Sequence, residues 1–474
     1  MKKRILSLLL IICLAMGLLP VVALADAPSA KVMVAGKTLA VSAYDAPAYS
    51  VNTSIEVLDT DDNKFTVVEQ TLAGASEENW NAKLVWKTGD TAPTLYLKGF
   101  QVDDYNEATE KWRARYQNEA DRKDPEKKDF GALTTAISIP TKQPTNIVIT
   151  GEDSVVKCRF GITYKSDLNI KSEGESKLTI HNLSSAITSD IGEAKSGYAL
   201  NINANLDVSV ESYYNSATSH IIQTYKADLT IEGGKINIDT PATKYLVAIY
   251  ARDGGNVHIK GGTISAVSAV GTGGINGTIQ ADKGKVTIDG GDLKLMPKYS
   301  LGIYAKEGIE INGGKLYVLS PYYAVNAGTT KEPGEFLVNG GTVEFEAQQC
   351  CNVAPKLGAG VTAYVGANKE NCELYDGTSI TQAKKPWMII SNEKLDIVVT
   401  QPTEEGGLKP YVPTTPATTA TTPTESVAPT GANGTADATN DGGSNSLVLW
   451  IVVAAVVAVA GAAVVLIVVK RKKA

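Results

Sequence analysis

The chain has 474 residues, of which 43 are glycine and only 6 are phenylalanine. Its 45 lysines and arginines are outnumbered by 51 aspartates and glutamates, and the formal net charge of −6 disfavours nucleic acid as a partner. A glycine-rich chain with little long helical periodicity is typical of an all-β extracellular protein.

The amino terminus has the parts of a secretory signal peptide. Residues 1–25 begin with a basic head, continue with an apolar run, and end with small residues at Ala23 and Ala25. We expect cleavage near Ala25, so the body of the chain is predicted to lie outside the cell.

The segment that follows is rich in strands and turns. Residues 26–100 include the runs KVMVAGKTLAV and TLYLKGF, in which apolar residues alternate with polar ones. The end of a stacked repeat array exposes strand edges and core, so such an array needs a cap. We interpret this segment as the amino-terminal β cap and first coil of the repeats described below.

A charged insertion interrupts the strand pattern at residues 101–130. One helical face of this segment is predicted to carry Tyr105, Ala108, Trp112 and Tyr116. In one interpretation, a helix packs this aromatic face against the coil. In the other, the segment contacts a ligand through Trp112, Arg113 and Tyr116, which stack on it or donate hydrogen bonds to it.

Residues 131–347 repeat a unit in which short strands flank a glycine pair. The five clearest copies read LTIEGGKINID, VHIKGGTISAV, VTIDGGDLKLM, IEINGGKLYVL and FLVNGGTVEFE, and successive pairs are 28, 29, 23 and 27 residues apart. This period, with an apolar residue at every second strand position, indicates a solenoid whose units bury their apolar faces by stacking. Glycine is expected at the corners because it reaches positive φ without a side-chain clash.

A third short strand precedes each glycine pair, as in AIYA, TIQA, GIYA and AVNA. Three strands per turn of about 25 residues predict a parallel β-helix, and the crossover rule for parallel strands predicts right-handed winding. The predicted fold class is therefore all-β, a right-handed parallel β-helix (solenoid) with β caps at both ends, plus one C-terminal transmembrane helix.

One outward column on this third strand attracts functional interest because its residues are neutral and polar or aromatic. From coil to coil, the outward column is predicted to contain Ser138, Thr163, Asn201, Gln223, Tyr250, Gln280, Tyr304 and Asn326. Leu200 is predicted to lie in the inward column beside it. Such side chains suit a neutral sugar, and two rungs, roughly 10 Å, would separate the two tyrosines. The alternative is a polar ladder that only stabilises the solenoid surface. The candidate ligand-binding residues are Asn201, Gln223, Tyr250, Gln280, Tyr304, Asn326, Trp112 and Tyr116.

The carboxyl-terminal part divides into four segments. Residues 348–400 are predicted to form the closing cap. Residues 401–446 hold eleven threonines and six prolines and are interpreted as a stalk, since no core can form from them. Residues 447–469 carry no charge and are long enough to span a bilayer, and the basic residues of the 470–474 tail mark the cytoplasmic side. This predicts a single-pass protein of the cell membrane with an extracellular ectodomain.

The cysteines and histidines give no sign of a metal or cofactor. Either Cys372 forms a disulfide with Cys350 or Cys351, or these residues and Cys158 are small apolar fillers. The three histidines lie in separate units without metal-ligand spacing, so no metal and no cofactor are predicted. No pair of carboxylates is placed within the coils for acid–base work, and no catalytic residue is assigned.

The chain resembles a broad group of Gram-positive bacterial surface proteins that are built on the pectin-lyase-like β-helix and often described as carbohydrate-binding. The resemblance rests on VMVAGKTLAV followed by TLYLKGF, on NIVITGEDSVV, on the I-x-G-G-x-I units, and on the signal, stalk and anchor. It implies a polysaccharide or surface glycan as partner. The motifs of polygalacturonase-like and lyase-like enzymes are missing, so we expect a non-catalytic, membrane-anchored binding protein. A structural or adhesive rod without a small ligand is the alternative, and a polysaccharide lyase or hydrolase comes third.

Overall fold

The computed structural model of the chain describes residues 29–35, 37–41, 49–51, 53–60, 64–71, 80–103, 135–189, 197–210, 220–240, 247–268, 276–397, 400–402 and 408–410. The predicted signal peptide, the helix of the charged insertion, most of the stalk and the predicted transmembrane span lie outside these ranges. Among the described residues, no helix has the length and apolar character needed to span a membrane. Within the described ranges, one short helix, α1 (Ile380–Ala383), accompanies the strands.

The strands follow one another at short intervals along the chain. The first nine are β1 (Ala30–Val34), β2 (Lys37–Val41), β3 (Tyr49–Val51), β4 (Thr53–Thr60), β5 (Lys64–Thr71), β6 (Ala82–Val85), β7 (Thr94–Leu97), β8 (Gln101–Asp103) and β9 (Thr135–Ile139). The next thirteen are β10 (Thr145–Ile149), β11 (Ser154–Tyr164), β12 (Leu168–Ser172), β13 (Lys177–Ser189), β14 (Leu200–Asn203), β15 (Asn205–Val210), β16 (His220–Tyr225), β17 (Leu229–Gly233), β18 (Lys235–Asp239), β19 (Val247–Arg252), β20 (Val257–Ile259), β21 (Thr263–Val267) and β22 (Gly277–Ala281). The remaining ones are β23 (Lys285–Ile288), β24 (Asp292–Leu295), β25 (Leu301–Ala305), β26 (Gly308–Ile311), β27 (Lys315–Ala327), β28 (Glu335–Val338), β29 (Thr342–Cys351), β30 (Lys356–Leu357), β31 (Thr362–Gly366), β32 (Cys372–Leu374), β33 (Trp387–Ser391), β34 (Thr400–Pro402) and β35 (Leu408–Pro410).

These strands stack into three parallel sheets, which confirms the predicted parallel β-solenoid. The first sheet runs in parallel from β7 through β10, β12, β14, β17, β20, β23, β26 and β28 to β30. The second sheet contains β8, the first halves of β11 and β13, β15, β18, β21 and β24, and the first halves of β27 and β29. The third contains β9, the second halves of those four long strands, and β16, β19, β22 and β25. The right-handed winding stays a prediction.

Aliphatic side chains in register fill the interior. On the third sheet, Ile249 pairs with Ile279, and Ile279 pairs with Ile303, and all three are 0% exposed. The first sheet continues the pattern, with Ile259 paired to Ile288. Full burial of one such side chain stabilises the fold by roughly 1.5–3 kcal/mol, so the stacked columns supply the main stabilising term.

The second glycine of each pair turns the corner between the first and second sheets. Its φ is positive in all five copies, at Gly234 (87°), Gly262 (89°), Gly291 (97°), Gly314 (81°) and Gly341 (83°). The corner is also crowded, because a Cβ added to Gly262 would lie 2.5 Å from the carbonyl oxygen of Gly234. That same oxygen accepts a hydrogen bond of 2.9 Å from the amide of Thr263 in the next rung.

Antiparallel strands lie at both ends of the parallel stack. At the amino-terminal end, β1 pairs antiparallel with β2 and β9, and β6 pairs antiparallel with β7. At the other end, β33 pairs antiparallel with β29 and β31. Strands β1, β2, β6 and β7 lie within the segment predicted as the amino-terminal cap, and β31 and β33 lie within the predicted closing cap. Pairing in the reverse direction covers edges that would otherwise be open.

The four cysteines outside the predicted signal peptide are buried, and no disulfide joins any two of them. The disulfide considered for Cys372 is therefore not formed, and the apolar interpretation of these residues fits the structure. Cys350 and Cys351 are each 0% exposed, and burial raises the pKa of both thiols. Thiols in such an environment are chemically inert.

The crowded corner predicts a large loss of stability for Gly262→Ala. Positive φ costs an L-residue roughly 1–2 kcal/mol, and overpacking against the Gly234 backbone adds about 1–3 kcal/mol. The control is Gly360→Ala, because Gly360 has a φ of 77° but nothing within 4 Å of an added Cβ. Urea unfolding should show the Gly262 variant losing clearly more stability than the control. Equal losses would show that the rungs separate easily at the corner.

Candidate functional site

The outward column of the third sheet brings five of the predicted site residues together. Cα pairing runs without a break through β16, β19, β22, β25 and β27. The residues in this order are Gln223, Tyr250, Gln280, Tyr304 and Asn326. Trp112 and Tyr116 lie outside the described residues.

The predicted placement of Asn201 in this column was wrong. Asn201 belongs to β14 of the first sheet, where it pairs with Asn169 and Thr230. Its expected place is taken by Thr188, which pairs with Gln223. The error arose because β13 runs through the corner between the second and third sheets as one continuous strand, so no break marks its third-sheet half. Leu200 was misplaced for the same reason, and Ile187 occupies the inward position.

The outward column is buried, in contrast to the open face expected from the sequence. Gln223 is 2% exposed, Gln280 is 4% exposed, and Tyr250 and Tyr304 are each 7% exposed. Only Asn326 at the end of the series is half-buried. Strands β16, β19, β22 and β25 are thus buried on both faces, as is usual for parallel strands in the middle of a fold.

Burial shapes the electrostatics of this column. The Tyr250 hydroxyl donates a 3.0 Å hydrogen bond to Oδ2 of Asp282, and its ring meets the His220 ring edge-on, with 4.5 Å between ring centroids. Desolvation, reinforced by the Asp282 carboxylate, raises the pKa of Tyr250. Desolvation also lowers the pKa of His220 to about 3, and the positive charge of Arg252 acts in the same direction. Both rings are therefore neutral at physiological pH.

An open groove of about 410 Å³ lies instead on the outer face of the first sheet. It extends over β7, β10, β12 and β14. Its lining includes Tyr96, Asn146, Asn169, Lys171, Asn201 and Glu232. The groove therefore contains one predicted site residue, Asn201, together with neighbours that were not predicted.

The floor of this groove carries an asparagine ladder, which consists of Asn146, Asn169 and Asn201 in successive rungs. Nδ2 of Asn201 donates to Oδ1 of Asn169 at 2.8 Å, and Nδ2 of Asn169 donates to Oδ1 of Asn146 at 2.9 Å. Nδ2 of Asn146 approaches Oγ1 of Thr94 at 3.5 Å. A carboxamide has two N–H donors and two acceptor lone pairs, so each ladder member keeps hydrogen-bonding capacity for a ligand. All three asparagines are half-buried rather than enclosed.

Aromatic rings border the amino-terminal end of the groove. Trp80 and Tyr96 pack edge-to-face with centroids 6.5 Å apart, and Nζ of Lys83 lies 5.7 Å from the centroid of the Trp80 ring. At the other end, the exposed Glu232 carboxylate accepts a 2.8 Å hydrogen bond from Lys260. The groove thus combines amides with aromatic surface.

A recurring Asn-Ile pair could have revealed the ladder from the sequence. It occurs in TNIVI, LNIKS and LNIN, where the isoleucine points inward and the asparagine points outward. The spacings of 23 and 32 residues are irregular, however, and the glycine pair is missing from these units. Because of this irregularity, the register of the three asparagines could not be predicted from the sequence.

No family model matches the chain, and its comparison with curated proteins and solved structures found no significant similarity. A solenoid fold supports many unrelated functions, so the fold by itself assigns none of them. The functional assignment therefore rests on the residues of the groove and of the buried column.

The buried His220 predicts a specific pH dependence. The unfolded chain takes up a proton on this histidine near pH 6.5, whereas the folded chain keeps it neutral down to about pH 3. The unfolded state therefore binds more protons in this window, and stability falls as the pH drops through it. Between pH 7 and pH 5 the loss from this group is about 2 kcal/mol.

Urea unfolding of the wild type and of His220→Phe at both pH values tests this expectation. Phenylalanine keeps a ring against Tyr250 but cannot titrate. The wild type should lose about 2 kcal/mol more than the variant on acidification. The same pH dependence in both proteins would mean that His220 is protonated in the folded state.

Proposed function

We propose that this protein is a cell-surface-anchored β-helix that binds carbohydrate, without catalysing a reaction on it, in the groove of the first sheet. The observation that carries the proposal is the asparagine ladder beside Tyr96 in an open groove. A sugar hydroxyl both donates and accepts hydrogen bonds, and the ladder provides both functions at each rung. The Tyr96 ring offers an apolar face against which a sugar ring packs.

Two other surfaces serve this function less well. The outward column of the third sheet is nearly inaccessible, so a sugar could reach Tyr250 or Tyr304 only after a rearrangement. A second groove of about 490 Å³ lies over the second sheet. There the carboxylate of Asp207 is already occupied by Lys177 at 3.6 Å and by the Asn237 amide at 3.2 Å.

The two ends of the chain support a location at the cell surface. The signal peptide at residues 1–25 directs export, and the uncharged stretch at 447–469 with its basic tail anchors the chain with its carboxyl terminus in the cytoplasm. The stalk at 401–446 would reach about 140 Å if extended at ~3.1 Å per residue. The resemblance to Gram-positive surface proteins of the pectin-lyase-like type fits this arrangement, in which a stalk displays the groove to surface glycans.

The ladder predicts which substitutions abolish binding. On an array of neutral oligosaccharides, the full chain in detergent should bind at least one glycan, and Asn169→Ala should weaken that binding about tenfold or more, which corresponds to roughly 1.4 kcal/mol. Thr287→Ala is the matched control, because Thr287 lies in the same outward column at a rung outside the groove. It should bind like the wild type.

Further outcomes of the same experiment separate the alternatives. Tyr304→Phe removes only a hydroxyl, so a loss of binding in that variant would place the site in the third-sheet column instead. If the correctly folded chain binds no glycan on the array, the structural or adhesive rod is favoured. Release of reducing ends or unsaturated products from bound polysaccharide would show a hydrolase or lyase.

A further inference from the structure

The asparagine ladder is composed entirely of carboxamides, although the fold does not require amides there. Further along the same outward column, the first sheet carries Thr230, His258, Thr287 and Glu310 at equivalent positions. The rungs stack equally well over those residues. In this column, the amides are therefore confined to rungs that form the groove.

Within the ladder, each amide uses only part of its hydrogen-bonding capacity. Asn169 uses one N–H to reach Asn146 and one acceptor site to receive Asn201. It keeps one N–H and one lone pair on its carbonyl oxygen. A secondary amide is a planar ligand group with one carbonyl and one N–H, so it can bond to both of these unused sites.

The spacing of the ladder adds a geometric condition. Parallel rungs lie about 4.8 Å apart, so Asn146 and Asn201 are separated by roughly 10 Å along the solenoid axis. In some extended sugar chains, each ring is flipped relative to the previous ring. Equivalent substituents then recur on the same side of the chain once per disaccharide. That repeat is close to two rungs, so two ligand amides on one side of such a chain can face Asn146 and Asn201 together.

The charges of the groove do not favour a cationic ligand. Among its described lining residues, Lys171 and Glu232 are the charged ones, and the Glu232 carboxylate is already paired with Lys260. A cationic free amino sugar therefore finds no unpaired carboxylate among these residues. A neutral amide substituent needs none.

We infer that the groove recognises N-acetylated amino sugars, as an oligosaccharide laid along the solenoid axis with acetamido groups over Asn146 and Asn201. This inference rests on the proposed function, because it names the class of sugar that the same groove binds. Tyr96, with Trp80 packed against it, then borders the sugar ring at the end of the groove formed by β7.

Calorimetric titration of the full chain in detergent tests the inference with two probes. Chitotetraose and cellotetraose have the same backbone and differ in having an acetamido group or a hydroxyl at one carbon of each ring. Chitotetraose should bind at least about tenfold more tightly. Its fully deacetylated form, which is cationic, should bind no better than cellotetraose.

Variants connect this preference to the ladder. Asn201→Thr introduces the residue that the next rung carries naturally and should remove most of the preference for chitotetraose, as should Asn146→Thr. Thr287→Ala is the matched control, because Thr287 lies in the same outward column but outside the groove. It should keep the preference, and thermal unfolding of each variant verifies that it is folded.

The outcomes for the two proposals differ. Equal affinity for both probes, or tighter binding of cellotetraose, would overturn the acetamido inference and leave carbohydrate binding intact. Retention of the preference in both Asn201→Thr and Asn146→Thr would also overturn it. If the chain binds neither probe and no glycan on the wider neutral array, both the acetamido inference and the proposal of carbohydrate binding are wrong.

Discussion

The close approach of one glycine corner to the next is the constraint on which the stack depends. Both glycines of a pair are crowded by the rung before, and the second also needs a positive φ. At Gly290 an added Cβ would lie 2.7 Å from the carbonyl oxygen of Lys260, whereas Gly291 adopts a φ of 97° and its own added Cβ would lie 2.8 Å from the carbonyl oxygen of Gly262. That oxygen accepts the 2.8 Å hydrogen bond that joins Asp292 to the rung before. Because the backbones meet without intervening side chains, the rungs keep one register and their aliphatic columns stay aligned.

The same register creates ladders on the outside of the solenoid. A second ladder lies next to the glycine corners, where Asn339 donates to Asn312 at 2.7 Å and Asn312 donates to Asp289 at 2.8 Å, outside the groove. A ladder alone is therefore no sign of a ligand site. The ladder at Asn169 differs because it lines a groove beside the aromatic ring of Tyr96. Its amides stand at intervals that the core dictates, so the groove presents them with little freedom to move apart.

Local patterns were sufficient to predict the fold but not the site. Glycine pairs and period-two alternation are short-range signals, and they identified three strands per turn and the inward isoleucines. The register of Asn201 required knowledge that β13 passes a corner unbroken, which depends on packing rather than on any turn residue. Periodicity likewise distinguishes inward from outward positions, but it cannot tell whether an outward residue such as Tyr250 is exposed to water. Tyr250 points away from the aliphatic columns and is still only 7% exposed.

The burial of each sheet determines which one can receive a ligand. The central strands of the third sheet, such as VAIYAR and LGIYA, contain almost only apolar, small or neutral side chains because both of their faces are buried. Strands of the first sheet, such as LNIKS and LNIN, alternate because only their inner face is buried. A polar side chain on the first sheet can exchange water for a ligand without any movement of the core, whereas one on the third sheet must first be uncovered. Accessibility therefore favours the first sheet as a ligand-binding face, and the neutral, hydrogen-bonding column of the third sheet is better explained as part of the buried packing of the solenoid.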